Sequence, residues 1–156
     1  MPRVLIVAYG NPLRSDDGVA WRAADSLTKT LPASEVEILR LHQLAPELAD
    51  TVRGIRQVIF VDAALSRSAA EIPGTVRVEE IVSEAVEPAR FSHNFSPHKV
   101  MGLAKQLYAV QPRAFAVTVV GASFEHGESL SAAVEHSLPA TVATIERLVR
   151  ESLAEA

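Results

Sequence analysis

The sequence predicts an α/β fold, a three-layer α/β/α sandwich around a mostly parallel twisted sheet, formed by a single domain over residues 1–156. Three observations lead there. Apolar runs rich in β-branched residues recur at 4–8 (VLIVA), 58–61 (VIFV) and 115–120 (FAVTVV), and such runs suit strands covered on both faces, as in a parallel sheet. Between them lie segments whose apolar residues have helical spacing, and alternating strands and helices pack as a sheet between helix layers. The length, 156 residues, suits one hydrophobic core.

Each element has its own signal. The first run stops at Gly10, Asn11 and Pro12, a cluster of turn formers. Val19, Ala23, Ala24 and Leu27 then mark a helix over 18–30, with Asp16 or Asp17 available as N-cap and Pro32 ending it. Residues 36–41 (VEILRL) alternate apolar and polar, as a strand near a sheet edge does. Residues 46–52 read as a helix with Pro46 in its first turn and Gly54 beyond its end. The run at 58–61 is the second buried strand, with Asp62 at its carboxyl end. Residues 74–81 alternate again, which marks a strand with one face in solvent. Ser96 and Pro97 open a helix reaching about Tyr108, and 115–120 is the third buried strand. A polar loop at 125–129 precedes a helix from 131 onward, expected to break or restart at Pro139 and to fray over 152–156.

Composition removes several classes of function. Acidic residues (19) outnumber Lys and Arg (15), so the net charge of −4 gives no general attraction for nucleic acid or an anionic membrane. The absence of cysteine excludes disulfides, thiolate catalysis and Cys-based zinc sites. The N-terminal apolar run is too short for a secretory signal, and no apolar stretch approaches the roughly 20 residues that span a bilayer. A cytoplasmic protein with neither nucleic-acid nor membrane partners is expected.

In open α/β sheets the ligand site lies beyond the carboxyl ends of the strands. The loop after the first strand, Asp62 and the segment around His93 should therefore meet at one sheet edge. The loop reads GNPLRSDDG over 10–18, which is neither the dinucleotide fingerprint nor a P-loop. Two adjacent carboxylates at a helix start would repel a phosphate. They would instead attract a cation or cap the helix. Taken singly, Asp62 suits an acceptor of loop amides and His93 a solvent-facing loop residue. Taken together, two carboxylates and an imidazole make an O/N metal site suited to zinc, nickel or another first-row divalent ion.

These residues also carry a resemblance. The stretch 7–19 (VAYGNPLRSDDGV) resembles the N-terminal signature of the hydrogenase maturation endopeptidases, in which an apolar strand runs into Gly-Asn, a short loop and an acidic pair. Residues 58–63 (VIFVDA) resemble the family's strand ending in Asp-Ala. Residues 92–97 (SHNFSP), with Met101 and Leu103 downstream, resemble its histidine followed by a helix. The runs 119–122 and 127–131 are also similar, so the resemblance covers nearly the whole chain. Carried over residue by residue, it places the metal-contacting and catalytic trio on Asp17, Asp62 and His93. Asp16 is the less favoured acid, because the family's ligand is the second of the pair. Asn11, in the Gly-Asn of the signature, is a secondary candidate. His98 rivals His93 but lies inside the expected helix, on a different face. The chain departs from the family at Ala8, which replaces a glycine, and at His42-Gln43-Leu44, which replaces a Gly-Gly-Thr loop. The latter makes His42 a candidate extra ligand or substrate contact. His126 and His136 read as surface residues.

The resemblance implies an endopeptidase that removes the C-terminal extension of a nickel-loaded [NiFe]-hydrogenase large-subunit precursor. Nickel would be presented by the substrate's own cysteines, and another divalent metal could occupy the site in the isolated protein. The chemistry would be aspartic-type or metal-dependent, since no Ser-His-Asp or Cys-His arrangement and no H-E-x-x-H is apparent. Two alternatives share these residues. One is a non-catalytic, metal-dependent checkpoint or chaperone for the precursor, and the other is a small-molecule hydrolase on the same fold.

Overall fold

The computed structural model describes residues 2–85 and 95–155. Five strands, β1 (Val4–Tyr9), β2 (Val36–Leu41), β3 (Gln57–Ala64), β4 (Val76–Glu80) and β5 (Arg113–Val120), form one sheet in the order β2-β1-β3-β5-β4. All neighbours are parallel except β4, which runs antiparallel to β5 at one edge. The helices are α1 (Val19–Thr30), the single-turn α2 (Leu48–Thr51), α3 (Pro97–Tyr108) and α4 (Ala132–Ala154).

The two-residue period of a strand explains the layers. On β1 and β3, Leu5, Val7, Val58 and Phe60 pack with Leu48, Ala49 and Val52 around α2 and with Val100, Met101 and Leu103 of α3. Their alternates Val4, Ile6, Ala8, Ile59 and Val61 pack with Ala20, Ala23, Ala24 and Leu27 of α1 and with Ile145, Leu148 and Val149 of α4. The central strands are apolar at nearly every position because both faces are covered. The same alternation continues past the core. Tyr9 follows Leu5 and Val7, and Asp62 follows Val58 and Phe60, so both belong to the α2/α3 side. They stand next to each other, one step beyond the paired Ala8 and Val61.

Several expectations are corrected. Neither Asp16 nor Asp17 caps α1. A 3-10 turn over Ser15–Gly18 intervenes, and Gly18 occupies the N-cap without any side-chain bond. Asp62 lies within β3, which runs on to Ala64, rather than after it. Pro139 does not break α4. It lies on an exposed stretch, so the carbonyl of the equally exposed Glu135, which loses its N–H partner, faces water. Buried Val134 before it and Ile145, Leu148 and Val149 after it hold one helix axis. The C-terminus is also more ordered than expected. Ser152 is buried, and Arg3, Arg56 and Arg113 meet Glu155. Ser96 does cap α3, accepting the Lys99 N–H at 3.3 Å with Pro97 in the first turn.

Candidate functional site

At the end of β1 the chain turns sharply. Gly10 has φ +143°, and a Cβ there would lie 2.1 Å from the Asp17 carbonyl oxygen, so no side chain fits. The turn brings Asp17 back over the strand end. Its carboxylate accepts the Asn11 N–H at 2.7 Å, while the Asn11 side-chain oxygen accepts the Leu13 N–H at 2.9 Å. Asn11 thus shapes the loop that presents Asp17.

The neighbouring acid does a different job. Asp16 is fully buried, and its two oxygens accept the N–H groups of Ala122, Ser123 and Ser131 at 2.7, 3.0 and 2.7 Å. Burial alone would raise its pKa, but the amides of Ser131, Ala122 and Ser123 prevail and hold it below the ordinary carboxylate value. Asp16 therefore ties the first loop to the β5–α4 loop. Backbone bonds from Ser15 to Gly127 and from Gly127 to Leu13 complete that junction.

Asp17 and Asp62 come together in a cleft of about 550 Å³ at the carboxyl ends of β1 and β3. Tyr9 and Gly10 contribute to its lining, residues 42–47 line another side, and Phe95 borders it just ahead of α3. Among the described residues no Lys or Arg lines it. The Asp62 carboxyl is pushed up to about 7, first by burial and then by the charge of Asp17. The Ala63 N–H, at 2.8 Å, and the Tyr9 hydroxyl donate to it and pull the other way. Burial, with the charges of Asp62 and Asp17, keeps that hydroxyl protonated, so Tyr9 is a fixed donor. Two neighbouring carboxyl groups, one with its pKa raised to about 7, can take up or release a proton at the pH of the cell or attract a cation.

His42 lines the same cleft, its ring edge-on to Trp21 with centroids 5.2 Å apart. Trp21 is itself fixed by donating from Nε1 to the Leu41 carbonyl at 3.0 Å. His98 is committed elsewhere, since its Nδ1 lies 2.8 Å from the Val82 carbonyl oxygen and it does not line the cleft. His93 lies outside the described residues. Among the described residues no group of three His, Asp or Glu side chains is close enough to hold a metal. His126 and His136 are exposed. The sequence reading missed Tyr9, because it ended the first strand at Ala8. Counting two residues on from Val7 would have put Tyr9 beside Asp62.

The fold and the cleft define a class of protein: a doubly covered α/β sheet with a pair of carboxyl groups at the carboxyl ends of its central strands. No protein-family sequence model and no curated protein sequence matches the chain. Solved structures do. The hydrogenase maturating endopeptidase HybD from E. coli is 28% identical with a TM-score of 0.72, covering 96% of this chain and 93% of that one. The [NiFe] hydrogenase maturation protease HybD from Thermococcus kodakarensis is 23% identical with a TM-score of 0.71, covering 94% and 99%. The maturation protease HycI from Thermococcus kodakarensis KOD1 shares the fold at 18% identity and a TM-score of 0.73, covering 95% and 92%. This chain is similar to the hydrogenase maturation endopeptidases over nearly its whole length.

Proposed function

We propose that this protein is an endopeptidase that removes the C-terminal extension of a nickel-loaded [NiFe]-hydrogenase large-subunit precursor. The observation that carries the reading is the Asp17–Asp62 pair, set in a cleft with no basic residue among its described lining. The likeness to the E. coli endopeptidase over 96% of the chain supports the same class of reaction. No helix among the described residues is long and apolar enough to cross a membrane.

The donors suit the cargo. Carboxylate oxygens and an imidazole bind first-row divalent ions, and the like charges of Asp17 and Asp62 favour a cation between them. On this reading Asp17, Asp62 and His93 contact the nickel that the precursor carries, and another divalent metal can take its place in the isolated protein. Such an ion supplies Lewis acidity toward a nearby carbonyl or water. Asp62, with its pKa raised to about 7, exchanges a proton with water or the leaving amine, and the charge of Asp17 favours its protonated form. Tyr9 orients the Asp62 carboxyl. His42, which also lines the cleft, contacts the substrate.

The test is incubation of the purified protein with nickel-loaded precursor, read by mass. Loss of the extension with one new C-terminus is the expected result. Tight association with the precursor and no broken bond would point instead to a non-catalytic checkpoint.

A further inference from the structure

The loop bearing Asp17 has a hollow on each side. One is the acidic cleft. The other, about 370 Å³, is lined by Arg14, Asp17, Ala63, Ala64, Leu65 and Phe124. Apart from Asp17 and the exposed Arg14, its walls are apolar, and they come from the end of β3 and from the β5–α4 loop. The two hollows share Asp17, so one bound chain can occupy both.

The second hollow is built into the fold. The Gly121 N–H donates to the Ala64 carbonyl at 2.9 Å, tying the β5–α4 loop to the end of β3. The Phe124 ring lies so close to Gly121 that a Cβ there would be 2.5 Å from it. The Phe124 carbonyl accepts Arg14 Nε at 3.2 Å, and Asp16 holds the amides of Ala122 and Ser123 just before it. Phe124 is thus fixed from three directions. Across from it Leu65 is 74% exposed, an apolar side chain that its own fold leaves uncovered at the edge of a reactive carboxylate.

We propose that this hollow is a specificity pocket of the endopeptidase, occupied by an apolar side chain of the substrate within a residue or two of the cleaved bond. The occupant is an extended polypeptide. Such a chain advances about 3.3 Å per residue, so neighbouring residues reach the acidic cleft and the apolar hollow together. The remaining N–H groups of Arg14 face a main-chain carbonyl of that segment. This inference rests on the endopeptidase reading and adds what the enzyme selects.

The test uses nickel-loaded precursors carrying Leu, Ala, Asp or Lys at each of the two positions on either side of the bond. Wild-type enzyme should prefer Leu to Asp at one of these positions by about tenfold or more in kcat/KM, the scale set by filling an apolar pocket. Leu65→Asp should erase that preference and favour Lys at the same position. The exposed position of Leu65 means the variant keeps its fold, which circular dichroism verifies. Phe124→Leu, which enlarges the hollow while keeping it apolar, should shift the preference toward Leu over Ala. Identical preferences in wild type and both variants would overturn the pocket while leaving the endopeptidase intact. Failure of the wild type to cut any precursor would remove the endopeptidase reading, and the pocket with it.

Discussion

Replacing Asp62 by Asn should abolish processing and at the same time make the fold more stable, increasingly so as the pH rises. The carboxyl is pushed to about 7 in the folded chain, first by burial and then by Asp17. In the unfolded chain it titrates near the ordinary value of about 3.9. The sign follows from which state holds the proton more tightly. The folded state does, so this group's contribution is fully present below about pH 3.9 and is lost as the pH rises through about 7. A shift of roughly 3 units corresponds to about 4 kcal/mol over the whole range, at 1.36 kcal/mol per unit. Between about pH 5 and about pH 8 the loss is about 2.5 kcal/mol.

Asparagine has the shape of the protonated acid, keeps an oxygen that can accept the Ala63 N–H, and does not ionise. Its stability relative to wild type should therefore grow by about that amount between the two pH values. Urea unfolding followed by circular dichroism at both pH values gives the difference, and the titrations shared by the two proteins cancel. A variant that is less stable than wild type by the same margin at both values would refute the reasoning. Asp62 would then be an ordinary acceptor of loop amides. A variant that still trims nickel-loaded precursor would refute its place in the chemistry.

The remaining expectations follow from the same geometry. Asp16→Asn should destabilise the protein by about 2–3 kcal/mol, because one amide oxygen cannot serve three N–H donors and the NH₂ group faces at least one of them. The Asp16 pKa is lowered in the fold, so this cost should be full at neutral pH and shrink as acid protonates the wild type, which paired unfolding curves would check. Tyr9→Phe should leave the packing intact but remove a donor that lowers the Asp62 pKa, so the pH profile of cleavage should move upward. Chelation should leave the melting temperature of the free enzyme unchanged, since the apolar clusters on both sheet faces hold the fold without metal. Precursor lacking nickel should remain unprocessed even when free zinc or nickel is supplied with the enzyme, and mass measurement of its extension decides this.

The layers were legible because the central strands are covered on both faces and so are apolar almost throughout, while β2 at the edge alternates. Boundaries were harder where tertiary packing overrides a local signal. Pro139 is a helix breaker in isolation, yet burial on both sides of it and a water-facing carbonyl let α4 run through. The Asp16-Asp17 pair was legible as a functional signal but not in its division of labour. The partners of Asp16 lie 106 to 115 residues away, in a loop whose path no local pattern specifies. Asp17 lines the cleft, whereas Asp16 is taken up by three loop amides. His98 was likewise placed away from the cleft by its helical position, and the bond to Val82 supplies the cause.

The arrangement of charge accounts for a site of this kind standing open. A cleft that brings Asp62 against Asp17, with no basic residue among its described lining, costs stability whenever both are ionised. The surrounding loop is held rigid at that cost. Gly10 admits the turn, Asn11 holds the Asp17 carboxylate, and Asp16 anchors the far side through three amides. The repulsion cannot relax by loop movement without breaking that anchor. It can relax by protonation or by a cation placed between the carboxylates. On the proposed function, a precursor carrying nickel would bring the cation with it, so its binding would gain the relief of this repulsion while a metal-free precursor would gain none. Discrimination between loaded and unloaded precursors would then follow from the electrostatics of the pair. Neutralising one carboxylate should weaken that discrimination along with cleavage: in equilibrium binding, Asp17→Asn should bring the affinities for loaded and unloaded precursor closer together. An unchanged ratio in that variant would mean the nickel is read elsewhere on the protein.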